Sequence, residues 1–202
     1  MTQYSIGYFV GSLATNSINR TLSKALIKRA PDNLAFTEIS IKDLPLYSYD
    51  YDADYPPEGT ALKQAIESAD GLLFVSPEYN RSIPGALKNA IDWGSRPWGA
   101  NSFARKPSGI VGASVGAIGT AVMQSSMRSV LSFLDAPQLN SPEAYIAFKP
   151  ELFEDDGTVT DSGTAEFLGH YMSEFGAFVA RVLDVSAEGH IGDPDPVEKA
   201  EK

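Results

Sequence analysis

The sequence predicts an α/β domain in which a five-stranded parallel sheet is covered by helices on both faces. Three observations carry that prediction. Short apolar runs alternate with segments of helical period along most of the chain, the pattern of repeated strand-helix-strand units. Turn-forming Gly, Pro, Asn, Asp and Ser separate them. The chain has 202 residues, 43% of them hydrophobic, and no cysteine, so it can bury one core that needs neither disulfides nor a thiolate metal site.

Tyr4 to Val10 is a short apolar strand, and G-S-L-A-T-N-S-I-N-R leads from it into a helix with Ile18, Leu22, Ala25 and Leu26 on one face. Leu34 to Ile39 is a second strand. The Tyr/Pro/Asp-rich stretch after it is a long loop. Its D-x-D-x-D at Asp50, Asp52 and Asp54 matches the start of a calcium loop, but Tyr55 stands where the turn glycine belongs and Ala61 where the bidentate Glu belongs. A solvated acidic loop is the expectation. Ala61 to Ala69 forms a short helix and Gly71 to Val75 a solidly apolar, buried strand. The loop after it carries Pro77, which forces a turn, and Pro84, expected as the first residue of a helix capped by Ser82.

Pro107 to Ala113 is the fourth strand, S-V-G-A-I-G-T a glycine-rich turn, and Ala121 to Leu134 a helix with Val122, Val130, Leu131 and Leu134 toward the sheet. A last strand lies between Gln138 and Ile146. An excursion follows, turning at Asp156-Gly157, and Thr164 to Leu183 is the closing helix. Residues 1–185 make one domain and residues 186–202 a polar tail.

A formal charge of −10 argues against a nucleic-acid or anionic-membrane surface, which needs clustered Lys and Arg. The N-terminus lacks a basic signal-peptide region, and no apolar run approaches the ~18 residues of a membrane span. A cytoplasmic location is the expectation.

Three loops carry candidate chemistry. In the first, Ser12, Thr15, Asn16, Ser17 and Asn19 supply donors at a helix N-terminus, an arrangement that holds a phosphate and equally one that caps an ordinary helix. In the central loop, the amides from Glu78 to Ser82 can face one cleft and suit a planar heterocycle with imide edges. In the third, G-A-S-V-G, Gly112 to Gly116, matches a nucleophile elbow with Ser114 as its serine. That serine-esterase alternative needs a histidine, and only His170 and His190 exist, neither on a loop after a strand.

The run P-E-Y-N-x-S-x-P-G-x-L-K-N-A-I-D-W-x-S-R-P, Pro77 to Pro97, resembles the signature of the NADPH-dependent FMN reductase family, which includes quinone, azo-dye and chromate reductases. The resemblance is dense there and looser from residue 4 to about residue 185. It implies a flavodoxin-like three-layer α/β/α sandwich with strand order 2-1-3-4-5. In that order ligands bind at the carboxyl ends of strands one and three, which the first and central loops follow.

The resemblance also implies FMN as cofactor and NADPH or NADH as electron donor. The FMN phosphate would lie in the first loop, where Ser12, Ser17 and Asn19 fall on the family pattern, with Ile18 between the last two. Many members carry an Arg near Ala14; here Arg20 is the nearest cation. Pro77, Glu78, Tyr79 and Asn80 would border the isoalloxazine ring, with Ser82 in the same loop, and Ser114 and Gly116 would approach it from the third. The family usually has a glycine pair where Gly119-Thr120 stand. Hydride would pass from NAD(P)H through FMN to a quinone, free flavin or similar small-molecule acceptor, with no catalytic side chain and no metal required. Members are commonly homodimers or homotetramers, and Trp93, Trp98 and the S-R-P-W run suit either core packing or such an interface. A flavodoxin-like electron carrier is the non-enzymatic alternative.

Overall fold

The computed structural model describes residues 2–187. Its elements, in order, are β1 (Tyr4–Val10), α1 (Ile18–Lys28), β2 (Leu34–Glu38), α2 (Pro57–Glu67), β3 (Gly71–Val75), α3 (Gly85–Gly94), β4 (Ser108–Ser114), α4 (Ala121–Phe133), β5 (Ala144–Ala147) and α5 (Ser162–Ala187). The strands pair in parallel in the order β2-β1-β3-β4-β5, so the order reverses between β1 and β3.

β3 sits at the centre, paired to β1 with Val10 opposite Val75 and to β4 with Val75 opposite Val111. All five of its residues are buried, the signature of a strand covered on both faces. Leu73 and Val75 join one core with Leu22, Leu26, Tyr171 and Phe175, beneath α1 and α5. Leu72 and Phe74 join the other with Ile66, Leu87, Trp93 and Met127, beneath α2, α3 and α4. Period-two alternation thus sends neighbouring side chains into two separate apolar layers.

The long Tyr/Pro/Asp loop wraps Trp93, which is fully buried. Tyr47, Tyr51 and Tyr55 lie 5.2, 5.4 and 5.0 Å from its ring, and its indole N–H donates to the Pro45 carbonyl at 2.7 Å. Asp52 accepts the Tyr47 hydroxyl at 2.9 Å. Trp93 is therefore a core residue, whereas Trp98 is 61% exposed with the Arg96 guanidinium 5.5 Å above it.

Several expected boundaries move. α2 begins at Pro57, four residues ahead of Ala61, because proline at the start of a helix costs no hydrogen bond. α4 buries Met123, Met127 and Leu131 at i, i+4 and i+8, while Val122 stays exposed. The closing helix runs from Ser162, two residues before Thr164, to Ala187. Except for residues 186 and 187 in that helix, the expected tail lies outside the described residues, as does His190. Among the described residues no helix is long and apolar enough to cross a membrane.

Candidate active site

The three loops leave adjacent strand ends and meet at the carboxyl edge of the sheet. The Gly11 amide donates to the Val75 carbonyl at 2.9 Å and the Ser76 amide to Val111 at 3.0 Å, so each loop starts from a fixed base. A side chain at Gly11 would put its Cβ 2.3 Å from Ser76 Oγ; only glycine lets the first and central loops approach this closely.

Between them lies an open cleft of about 280 Å³. From the first loop it is lined by Ser12, Ser17, Ile18 and Asn19, from the central loop by Pro77, Glu78 and Tyr79, and from the third by Ser114. Ala14, Asn16, Ala113 and Val115 complete the wall. Asn80, Ser82 and Gly116 do not line it. On the far side of Asn16, Ser17 and Ile18 a larger cavity of about 540 Å³ opens between α1 and the excursion around Phe153.

In the first loop, Ser17 occupies the N-cap position of α1 but makes no side-chain cap hydrogen bond. Its hydroxyl, only slightly exposed, is not spent on its own helix. The Ile18 and Asn19 amides hold the first two helical positions, which have no intrahelical acceptor. Ser12 Oγ lies 3.4 Å from the Tyr79 hydroxyl and accepts the Ala14 amide at 3.3 Å. Arg20 is committed elsewhere: its guanidinium grips Glu38 through two bonds of 2.8 and 2.9 Å. Those bonds hold the Glu38 carboxyl below the usual range. Burial, then the Glu38 charge, raises the neighbouring Tyr8 hydroxyl above its ordinary value.

The central loop differs from the expected row of free amides. Tyr79 N–H donates to Ser82 O at 3.1 Å and Ser82 N–H to Tyr79 O at 3.0 Å. Asn80 and Arg81 sit between them with φ of 52° and 62°, a tight turn with two left-handed residues. Ser82 closes this turn rather than capping α3, and Pro84 is the N-cap residue, one position before Gly85. The Glu78 carboxylate turns to α4, where Oε2 accepts the Val122 and Met123 amides at 3.1 and 2.9 Å. α4 needs it: Thr120 supplies no side-chain cap, and the first turn has no acidic residue. Only the backbone of Glu78 remains for a ligand.

The third loop is no nucleophile elbow. Ser114 ends β4, paired with Ala147, and is not among the residues of positive φ. Its hydroxyl accepts the Gly116 amide at 3.1 Å. His170 lies exposed on α5, and no hydrogen bond joins it to Ser114. Gly119, with φ of 57°, packs 2.8 Å (by its would-be Cβ) from the Tyr145 carbonyl carbon, a close backbone approach that holds the loop's end against β5.

The model of the NADPH-dependent FMN reductase family matches residues 4–151. The chain belongs to this family. The reductase is 47% identical over 174 residues to the 2-hydroxy-1,4-benzoquinone reductase of a Burkholderia species, covering 86% of this chain and 95% of that one. It is 45% identical over 177 residues to a quinone reductase of Pseudomonas putida, covering 87% and 95%. FerB from Paracoccus denitrificans, a flavoenzyme NAD(P)H:(acceptor) oxidoreductase, superposes with a TM-score of 0.85 at 41% identity, over 88% of this chain and 98% of that one.

The residues fit FMN. The unspent Ser17 hydroxyl and the two leading amides of α1 are donors at the positive end of a helix, the chemistry that a phosphate takes, and Tyr79, 49% exposed, lines the cleft beside them. Asn16 and Val115 line the site although the family pattern singled out neither; the polar run Thr15-Asn16-Ser17 was the only signal for the first.

Proposed function

We propose that this reductase takes hydride from NADPH or NADH onto FMN and passes the electrons to a quinone or similar flat small-molecule acceptor. The observation that carries the reading is the meeting of three loops, from β1, β3 and β4, in one cleft with the leading amides of α1 at one end. FMN supplies the redox chemistry when bound. The chain's residues do the rest: Ser12, Ser17, Ile18 and Asn19 hold the phosphate end, and Pro77, the backbone of Glu78, Tyr79 and Ser114 border the ring. The exposed Val115 leaves an apolar edge of the cleft open to donor and acceptor.

The relatives' names favour a reductase over the electron-carrier alternative. The exposed Trp98 suits a homodimer or homotetramer interface.

The test is flavin uptake and turnover by the purified protein. FMN binds more tightly than riboflavin, and NAD(P)H is oxidised with a benzoquinone acceptor only when FMN is present. Equal affinity for FMN and riboflavin would remove the phosphate seat. Cleavage of an activated ester without flavin uptake would restore the Ser114 alternative.

A further inference from the structure

One side chain joins the phosphate end of the cleft to the ring end. Asn19 is fully buried. Its Nδ2 donates to the Ala113 carbonyl at 2.9 Å, and its Oδ1 accepts the Ala113 amide at 2.8 Å, across 94 residues of chain.

The reason lies in the sheet. β3 and β4 pair as far as Val75 and Val111, and the Ser76 amide still reaches Val111 O. Backbone groups along a strand alternate sides, so Ala113 presents its N–H and C=O to the same side as Val111. There β3 has ended, because Pro77 with its fixed φ turns the chain away before the Ser76 carbonyl and the Glu78 amide can reach Ala113. The Asn19 amide takes the place of the missing strand residue, offering one donor and one acceptor in matching order. Buried groups without such partners are costly.

Asn19 therefore works in two directions. Its own N–H is one of the two leading amides of α1 in the phosphate seat. Its side chain grips the residue before Ser114, at the base of the exposed Val115 to Ile118 loop that borders the ring.

We propose that Asn19 is a positioning residue that couples occupancy of the phosphate seat to the order of the β4–α4 loop. The inference rests on the FMN reading above. Phosphate bound to the first turn of α1 fixes Asn19, which fixes Ala113 and the root of the loop. By reciprocity, a loop ordered against the ring prepares the phosphate seat. An amide alone serves both groups: a carboxylate at this position repels the Ala113 carbonyl, and an apolar side chain leaves both backbone groups unpaired.

The test compares FMN with riboflavin, which shares the ring and lacks the phosphate. Dissociation constants are measured by quenching of flavin fluorescence for wild type, Asn19→Ala and Asn19→Ser, each first shown to be folded by circular dichroism. Coupling predicts that FMN affinity falls at least tenfold more than riboflavin affinity. Loss in equal proportion overturns the proposal and leaves Asn19 a packing residue. A second arm needs no variant. Hydrogen exchange on wild-type protein without flavin, with and without inorganic phosphate, should slow at residues 114–119 as well as at residues 18 and 19. Slowing confined to residues 18 and 19 also overturns the coupling. A wild type that does not distinguish FMN from riboflavin removes the FMN reading itself, whereas discrimination in the wild type with an unchanged ratio in the variants removes the coupling alone.

Discussion

Replacing Glu78 by alanine removes the N-terminal cap of α4 from a distance of 44 residues in sequence, and the structure sets the size of the effect. Two amides lose a charged acceptor, those of Val122 at 3.1 Å and Met123 at 2.9 Å. The Val122 amide lies on the exposed side and regains water, while that of Met123 is partly buried and does not fully recover. Loss of an N-cap costs about 0.5–2 kcal/mol, and a carboxylate at the positive end of a helix adds about 0.3–1 kcal/mol. With the carboxylate side chain only 9% exposed, the sum falls near about 2 kcal/mol, or a melting point lowered by roughly 4–8 °C for a domain of this size. Glu78→Gln keeps an acceptor oxygen and loses the charge, so it should cost about half as much. Arg81→Ala removes only a 3.3 Å pair from a guanidinium that is 67% exposed and should change stability by less than about 0.5 kcal/mol. Urea unfolding of the flavin-free protein, followed by circular dichroism, gives all three values. Glu78→Ala within 0.5 kcal/mol of wild type, or Arg81→Ala costing as much as Glu78→Ala, would refute the assignment of Glu78 as cap.

Three further outcomes follow from the same structure. Ser17→Glu sets a negative charge beside the proposed phosphate seat and should weaken FMN binding by several kcal/mol, on the order of 4 at a separation of about 4 Å, with riboflavin affinity little changed in a titration of the folded variant. Glu38 is held below its ordinary value by the Arg20 hydrogen bonds, so its stabilising contribution is present above the unfolded carboxylate pKa and is lost as pH falls through the lowered folded value. Unfolding curves should show the wild-type advantage over Glu38→Gln shrinking from about pH 6 to about pH 3, and an advantage that grows on acidification contradicts the pairing. Trp93→Ala empties a fully buried site and removes one of the two donors to the Pro45 carbonyl, Asn89 Nδ2 remaining, which should cost about 3–5 kcal/mol in thermal unfolding; a loss below 1 kcal/mol would mean the tyrosine loop does not depend on it.

What the sequence made legible was whatever is written locally. Gly71 to Val75 could be read as a doubly covered strand because five consecutive apolar residues have no exposed face to explain them, and the resemblance of Pro77 to Pro97 pointed to the cleft. The start of α2 was hidden by Pro56-Pro57, which reads as loop although proline is accepted at a helix start. Toward the end of α4 the expected inward residues pack as read, Leu131 and Leu134 buried and Val130 against the core, but at its start Met123 faces inward in place of Val122, two adjacent apolar residues that local pattern does not tell apart. The same reason hid the roles of Glu78 and Asn19. Their partners lie 44 or more residues away, and no local pattern says which backbone will arrive beside them. The turn at Asn80-Arg81 was hidden because arginine rarely adopts positive φ.

Gly112 divides the third loop into a part that cannot vary and a part that can. A Cβ there would stand 2.1 Å from the Ser76 carbonyl and 2.5 Å from Thr120 Oγ1, so β3, β4 and the start of α4 touch with no space for a methyl group. Four residues later a Cβ on Gly116 would meet nothing nearer than Ser114 Oγ at 3.5 Å, and Val115 is 81% exposed. In a saturation library spanning residues 112–118, tolerated alleles should therefore be absent at the first position and plentiful at residues 115 and 116. Laboratory evolution toward bulkier or more polar acceptors has a cheap route there: the rim of the cleft can be rewritten while the three strand ends that define it stay in register.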